Sequence, residues 1–161
     1  MTAMGSGDWD RLFGGGEPLP PRIVLPGALA ESIRAAARSA YPDEGCGLLV
    51  GQGERVTRVV PSRNVALRGR DRFEVDPRVR LDLMKALRGT PERLLGHWHS
   101  HPDAPAVPSA TDLAQAYEPA LLWLICGVSG TGEAALSAWK MVPEAGAFTP
   151  VPLVVEDVTR G

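Results

Sequence analysis

Cysteine is nearly missing from this chain: only Cys46 and Cys126 occur, far apart and without a CxxC pair. Two such residues build neither a disulfide framework nor a closed cysteine-ligated zinc site, and a reducing cytoplasm is the expected compartment. No apolar run reaches the roughly 18 residues that a membrane helix needs, so no membrane span is expected. The opening MTAMGSGDWDRLFGGGEPLP has neither a basic n-region nor an apolar h-region, which argues against a signal peptide. No basic block occurs and the net charge is −2, so a general binder of nucleic acid or anionic membrane is not expected either. Internal repeats are absent. Histidine is as scarce, with three residues, but they are not scattered.

What is present describes a globular protein. The 161 residues are 44% hydrophobic and 22% charged, enough for one domain with a real core. Residues 1–21 read as a flexible Gly/Pro-rich tail, in which Trp9, Leu12 and Phe13 could dock elsewhere, and residues 22–161 as the domain. A strand at Ile23–Leu25 precedes a helix from Pro26 to about Ala40, with Leu29, Ile33, Ala36 and Ala37 on its apolar face. Strands follow at Gly45–Gly51 and Arg55–Val60 around a Gln52–Glu54 turn, and a short one at Phe73–Val75. Asp76-Pro77 starts a helix to about Arg88, and Arg93–His101 forms a buried strand that emerges at His99. A helix from Ser109 to about Tyr117, strands at Leu121–Val128 and Ala134–Met141, and an edge strand at Pro152–Val155 complete an α/β pattern. A mixed, curved sheet flanked by helices is expected.

The three histidines fall at 97, 99 and 101 of GHWHSHPDAPAVPSATD. Residues two apart on a strand share a side, so the spacing aims a row of imidazoles at one place. Ser109 and Asp112 then read as an N-cap and its capping-box partner. Alternatively, Asp112 aims a carboxylate at a cation, since two imidazoles and a carboxylate leave the open fourth position of a catalytic zinc site. A three-histidine site using His97 is a further possibility, although His97 stands about 7 Å back along the strand from His99. Upstream, Glu44 sits at the mouth of a glycine-flanked strand, with Asp43 its nearest competitor. Asp103 reads as a turn or supporting residue.

His99-Ser100-His101-Pro102, then Pro108-Ser109 and Asp112, with Glu44 in YPDEGCGLLVG, resemble the JAMM (MPN+) metallopeptidase family, and are most similar to its compact prokaryotic members. The resemblance extends from about Arg22 to about Val155. It implies a single-domain JAMM/MPN-like, cytidine-deaminase-like fold and one Zn²⁺ per chain on His99, His101 and Asp112. It also implies Glu44 as general base, and leaves His97 as a packing or supporting residue. On this pattern, Ser109 serves as an electrophilic helper to the carbonyl oxygen. The activity implied is deubiquitinase-like hydrolysis of an amide or isopeptide bond after the tail of a ubiquitin-like or sulfur-carrier (ThiS/MoaD-type) protein. The short loops at Pro61–Asp71 and Ser129–Gly132 do not suggest polyubiquitin-linkage specificity. The alternatives are an inactive MPN-type scaffold, a serine hydrolase using Ser100 or Ser109, and a RadC-like nucleic-acid module. All five site residues are present, no G-x-S-x-G elbow occurs, and the basic signature of the last is missing.

Overall fold

The apolar runs at 46–50, 94–98 and 121–126 come together in the middle of one mixed eight-stranded sheet. The computed structural model describes residues 18–157; the expected tail up to residue 17 lies outside them, while Leu19 packs on the core. The elements are β1 (Ile23–Pro26), α1 (Gly27–Ala40), β2 (Cys46–Gln52), β3 (Arg55–Ser62), α2 (Pro77–Leu87), β4 (Arg93–Pro102), α3 (Ala110–Ala114), β5 (Leu122–Val128), β6 (Ala134–Val142), β7 (Ala147–Val151) and β8 (Leu153–Glu156). The strand order is β7-β6-β5-β4-β2-β3-β1-β8. β4 runs parallel to β5 and β1 parallel to both β3 and β8, the other pairs being antiparallel.

Each helix forms where its sequence supplies both a start and an apolar stripe. Pro26 occupies the N-cap of α1, and Ala30, Ile33 and Ala37 recur at helical spacing and are buried. They pack on Ile23, Leu25, Leu49, Leu95 and Trp98, the main core on one face of the sheet. Each large aliphatic side chain buried there contributes roughly 1.5–3 kcal/mol. The Asp76 carboxylate caps α2 by accepting from the Arg78 N–H at 2.9 Å, and Pro77 fills the first turn. The apolar side of α2 covers Leu48, Val50 and Leu94 on the opposite face.

The central strand is what positions the site. Between β2 and β4 the register shifts, Leu49 facing Gly96 and Val50 facing Leu94. Leu95 is therefore an extra residue, a bulge that resets which side chains point where. From there Trp98 enters the α1 core, while His97, His99 and His101 alternate onto the other face. Gly96 is required for the pairing with β5, because a Cβ there would stand 2.1 Å from the Leu122 carbonyl oxygen.

Four expectations need correction. Phe73–Val75 is not a strand; the one ladder contact is the isolated bridge Asn64–Val75, and Phe73 instead turns its ring onto the histidines. The helix after Ser109 stops at Ala114 rather than near Tyr117. β7 is a strand that the expected pattern does not include; as the outermost strand it tolerates Pro150, a residue without an N–H. Finally, β4 does not emerge at His99: His99 and Ser100 are fully buried and His101 nearly so. Pro102 is the last residue of the strand, and the Asp103 N–H makes the next bond, to Val128 O.

Candidate metal centre

Three segments meet on the histidine face, at the carboxyl end of β4. The β4–β5 crossover begins there, so α3 starts close to the histidines. Its Ser109 hydroxyl accepts from the Asp112 N–H at 3.1 Å, and Asp112 Oδ2 accepts from the Ser109 N–H at 2.9 Å. The expected capping box is thus present, and it fixes the Asp112 carboxylate rather than competing with a role at the site. Glu44 arrives from the other side, in the segment between α1 and β2. Of the two neighbouring carboxylates, Asp43 is exposed and Glu44 buried.

The side chains converge closely. His99 Nε2 and His101 Nε2 lie 3.0 Å apart. Asp112 places Oδ1 3.2 Å from the first and Oδ2 3.0 Å from the second. Glu44 Oε1 stands back at 4.0 Å from His99 Nε2. Donor atoms of Glu44, His99 and His101 all lie within 4.8 Å of one another, so either carboxylate could complete a cation site with the imidazole pair. Asp112 is nearer to both nitrogens and turns both oxygens toward them. His97 is not drawn in: its ring sits edge-on to Trp123 and tilted against Phe73, 6.4 Å from the His99 ring.

The donor set fits a divalent metal. The Pro105 carbonyl lies 3.0 Å from His101 Nδ1 and can only accept, so that nitrogen carries a proton. In the neutral imidazole Nε2 is then a bare lone pair facing an Asp112 oxygen 3.0 Å away, and an extra proton or a cation relieves that opposition. Ligands about 2.0–2.1 Å from a tetrahedral zinc are separated by roughly 3.3–3.4 Å, close to the spacings seen here. A carbonyl holding the far nitrogen of a metal-binding histidine is the usual supporting contact.

Electrostatics separate the two carboxylates. Burial works against the Asp112 charge, but the bonds from His101, His99 and the Ser109 N–H outweigh it and hold its pKa far below the usual range. Glu44 goes the other way: burial, partly countered by His101, pushes it up to about 8. Burial lowers His99, which has no hydrogen-bond partner for Nδ1 among the described residues. His101 is raised: burial opposes its charge, but Asp112, the Pro105 carbonyl and Glu44 prevail. Cys46, paired with His99 across the β2–β4 ladder, is pushed up to about 11 by burial and offers no thiolate.

Phe73, expected only as part of a strand, has a place at the site, and Asp103 is the turn and supporting residue that the sequence suggested. Phe73 stacks on His99, with centroids 4.2 Å apart and planes 11° from parallel. Asp103 adopts φ 54°, accepts from the Tyr41 hydroxyl and the Gly130 N–H, and ties the segment before Glu44 to the crossover. Beside the histidines, behind Phe73, a cleft of about 700 Å³ runs between the 66–77 segment and residues 115–121, floored by His97 and Trp123. Leu67 and Tyr117 stand exposed on its rim.

Comparison with known proteins agrees with this geometry. The family model described as prokaryotic homologs of the JAB domain matches residues 26–142. A desampylase of Haloferax volcanii is 35% identical over 115 residues, 68% of this chain and 83% of that protein. The CysO-cysteine peptidase of Mycobacterium tuberculosis is 29% identical over 134 residues, 82% of this chain and 91% of the relative. Among solved structures, a protein from Desulfitobacterium hafniense has a TM-score of 0.75 at 31% identity, covering 84% of this chain and 94% of its own.

Proposed function

The chain belongs to the prokaryotic JAB-domain family, and from that premise we propose that it is a JAMM-type metallopeptidase. Its substrate is an amide or isopeptide bond following the C-terminal tail of a ubiquitin-like or sulfur-carrier protein. The observation that carries this reading is geometric: His99, His101 and Asp112 bring their donor atoms within 3.0–3.2 Å of one another, while Glu44 stands back at 4.0 Å from His99 Nε2, within reach of a water between them. The opposite directions in which their surroundings shift the two carboxylates agree with a ligand and a base. Relatives named as a desampylase and a CysO-cysteine peptidase support the substrate class.

In this reading His99, His101 and Asp112 hold one zinc ion. When bound, it supplies Lewis acidity and makes a water molecule available as a nucleophile near pH 7. A positive charge at the imidazole pair also brings Glu44 down from about 8 toward its working range. Glu44 takes the proton of the attacking water and delivers it to the departing amine nitrogen. Ser109 is exposed at the mouth of the site; its oxygen accepts from Asp112, which leaves its O–H free to donate to the carbonyl oxygen as charge builds there. Burial of Glu44, His99, His101 and Asp112 strengthens the interactions among them. The cleft lined by His97 and Phe73 adjoins the site and offers a surface for the partner, its exposed rim residues Leu67 and Tyr117 meeting the partner's body.

The test is incubation of the zinc-loaded protein with fusions of ubiquitin-like and sulfur-carrier proteins, scored by mass spectrometry. One cut directly after the partner's C-terminal tail is expected, abolished by chelator and restored by zinc. Cutting that survives chelation, or none with any fusion, contradicts the reading.

A further inference from the structure

Residues 63–76, between β3 and α2, form neither helix nor strand, yet this segment holds Glu44 in place. Asn64 is its hub. Its Oδ1 accepts from the N–H groups of Ala66 and Glu74, both at 3.0 Å. Its Nδ2 donates to the carbonyl oxygens of Glu44 at 3.0 Å and Arg72 at 2.8 Å. A primary amide has two N–H groups and two lone pairs, and all four are used. The partners also settle which end is which, because N–H groups lie on one side and carbonyls on the other. A second link comes from the same segment: the Glu44 N–H donates to Gly69 O at 2.6 Å. Both backbone groups of Glu44 are therefore tied to it. Phe73, whose ring stacks on His99, lies between the two residues whose backbones bond Asn64 on either side of it.

We propose that Asn64 is a positioning residue for proton transfer, setting the place of the Glu44 carboxylate through the backbone of Glu44. The proposal rests on the reading of Glu44 as base. Asn64 touches neither the imidazole pair nor Asp112; it acts through the main chain at one end and through Phe73 at the other. The donor half of the amide holds Glu44 and the backbone before Phe73, and the acceptor half holds Ala66 and the backbone after Phe73. Misplacing a reacting group by about 1 Å can cost on the order of 100-fold in rate, so loss of the donor half falls on turnover rather than on metal or substrate binding.

Asn64→Asp is the direct probe, since it keeps both acceptor contacts and removes both donors. In the zinc-loaded protein, kcat on a cleavable fusion is expected to fall roughly 10- to 100-fold. KM should stay within about twofold and zinc per chain should not change. Asn64→Ser is the second probe: it stays neutral but is too short to reach the Glu44 carbonyl as the amide does. The same fall in kcat at unchanged zinc is expected, and this variant decides by the same criteria should Asn64→Asp not fold. The proposal is overturned by folded, zinc-replete variants with kcat near the parent's, or by zinc loss in step with activity. Glu44→Gln runs alongside: full activity in that variant removes the base itself, whereas an inactive Glu44→Gln beside an unimpaired Asn64→Asp removes only the positioning role.

Discussion

Individual side chains in this site owe their chemistry to what surrounds them. Glu44 and Asp112 are both buried carboxylates, yet among the described residues Asp112 has N–H partners for its charge and Glu44 does not, so burial dominates the one and hydrogen bonding the other. His97 shows the same contrast among imidazoles. It shares a strand face with His99 and His101 but has an aromatic bed and, among the described residues, no carboxylate partner. Burial first, then the charges of His99 and Arg80, push its pKa down to about 3. A folded pKa below the unfolded value of about 6.5 means that the unfolded chain binds the proton more tightly. The stability gained is present above about pH 6.5 and is lost as pH falls toward 3. Replacing His97 by Leu should remove that slope. Between pH 7 and pH 5 the metal-free parent should lose roughly 1 kcal/mol more than the variant, contact with the cleft's water keeping the value below the full linkage figure. Urea unfolding in chelator at the two pH values measures this; parallel losses would assign the acid sensitivity elsewhere.

At the scale of elements, the site depends on a strand, a crossover and one capped turn of helix. Helix α3 is only five residues long, too short to persist without its cap. Ser109→Ala should therefore cost about 1 kcal/mol of stability through the lost cap. It should also lower kcat on the order of 100-fold through the lost donor. Ser109→Thr, which keeps the hydroxyl, should restore both. An alanine variant with undiminished kcat at saturating zinc would leave the serine as a cap alone. These local features were legible in the sequence because their causes are local. Alternation put His99 and His101 on one side, Ser109 and Asp112 stand at capping-box spacing, and Asp76-Pro77 starts α2. What was illegible depends on distant partners. The burial of His99 comes from Phe73 and from strands on both sides. The hub role of Asn64 requires carbonyls and N–H groups from positions 44 to 74, which no periodicity marks.

For the whole molecule, the sheet separates two tasks. One face packs against α1 in a continuous apolar core, while the other carries α2 at one end and the histidines at the other. Removing metal should thus leave the α1 face intact and lower the melting temperature, because an ion that binds only the folded site stabilises it by mass action. Among the described residues no helix is long and apolar enough to cross a membrane. Fusion cleavage tests the substrate, but the metal centre underlies everything else, and zinc content by elemental analysis after exhaustive dialysis tests it most directly. The expected result is about one zinc per chain in the parent, in Glu44→Gln and in His97→Leu, with almost none in His101→Ala or Asp112→Ala. A parent that retains no zinc, or an Asp112→Ala protein that retains a full equivalent, would contradict it.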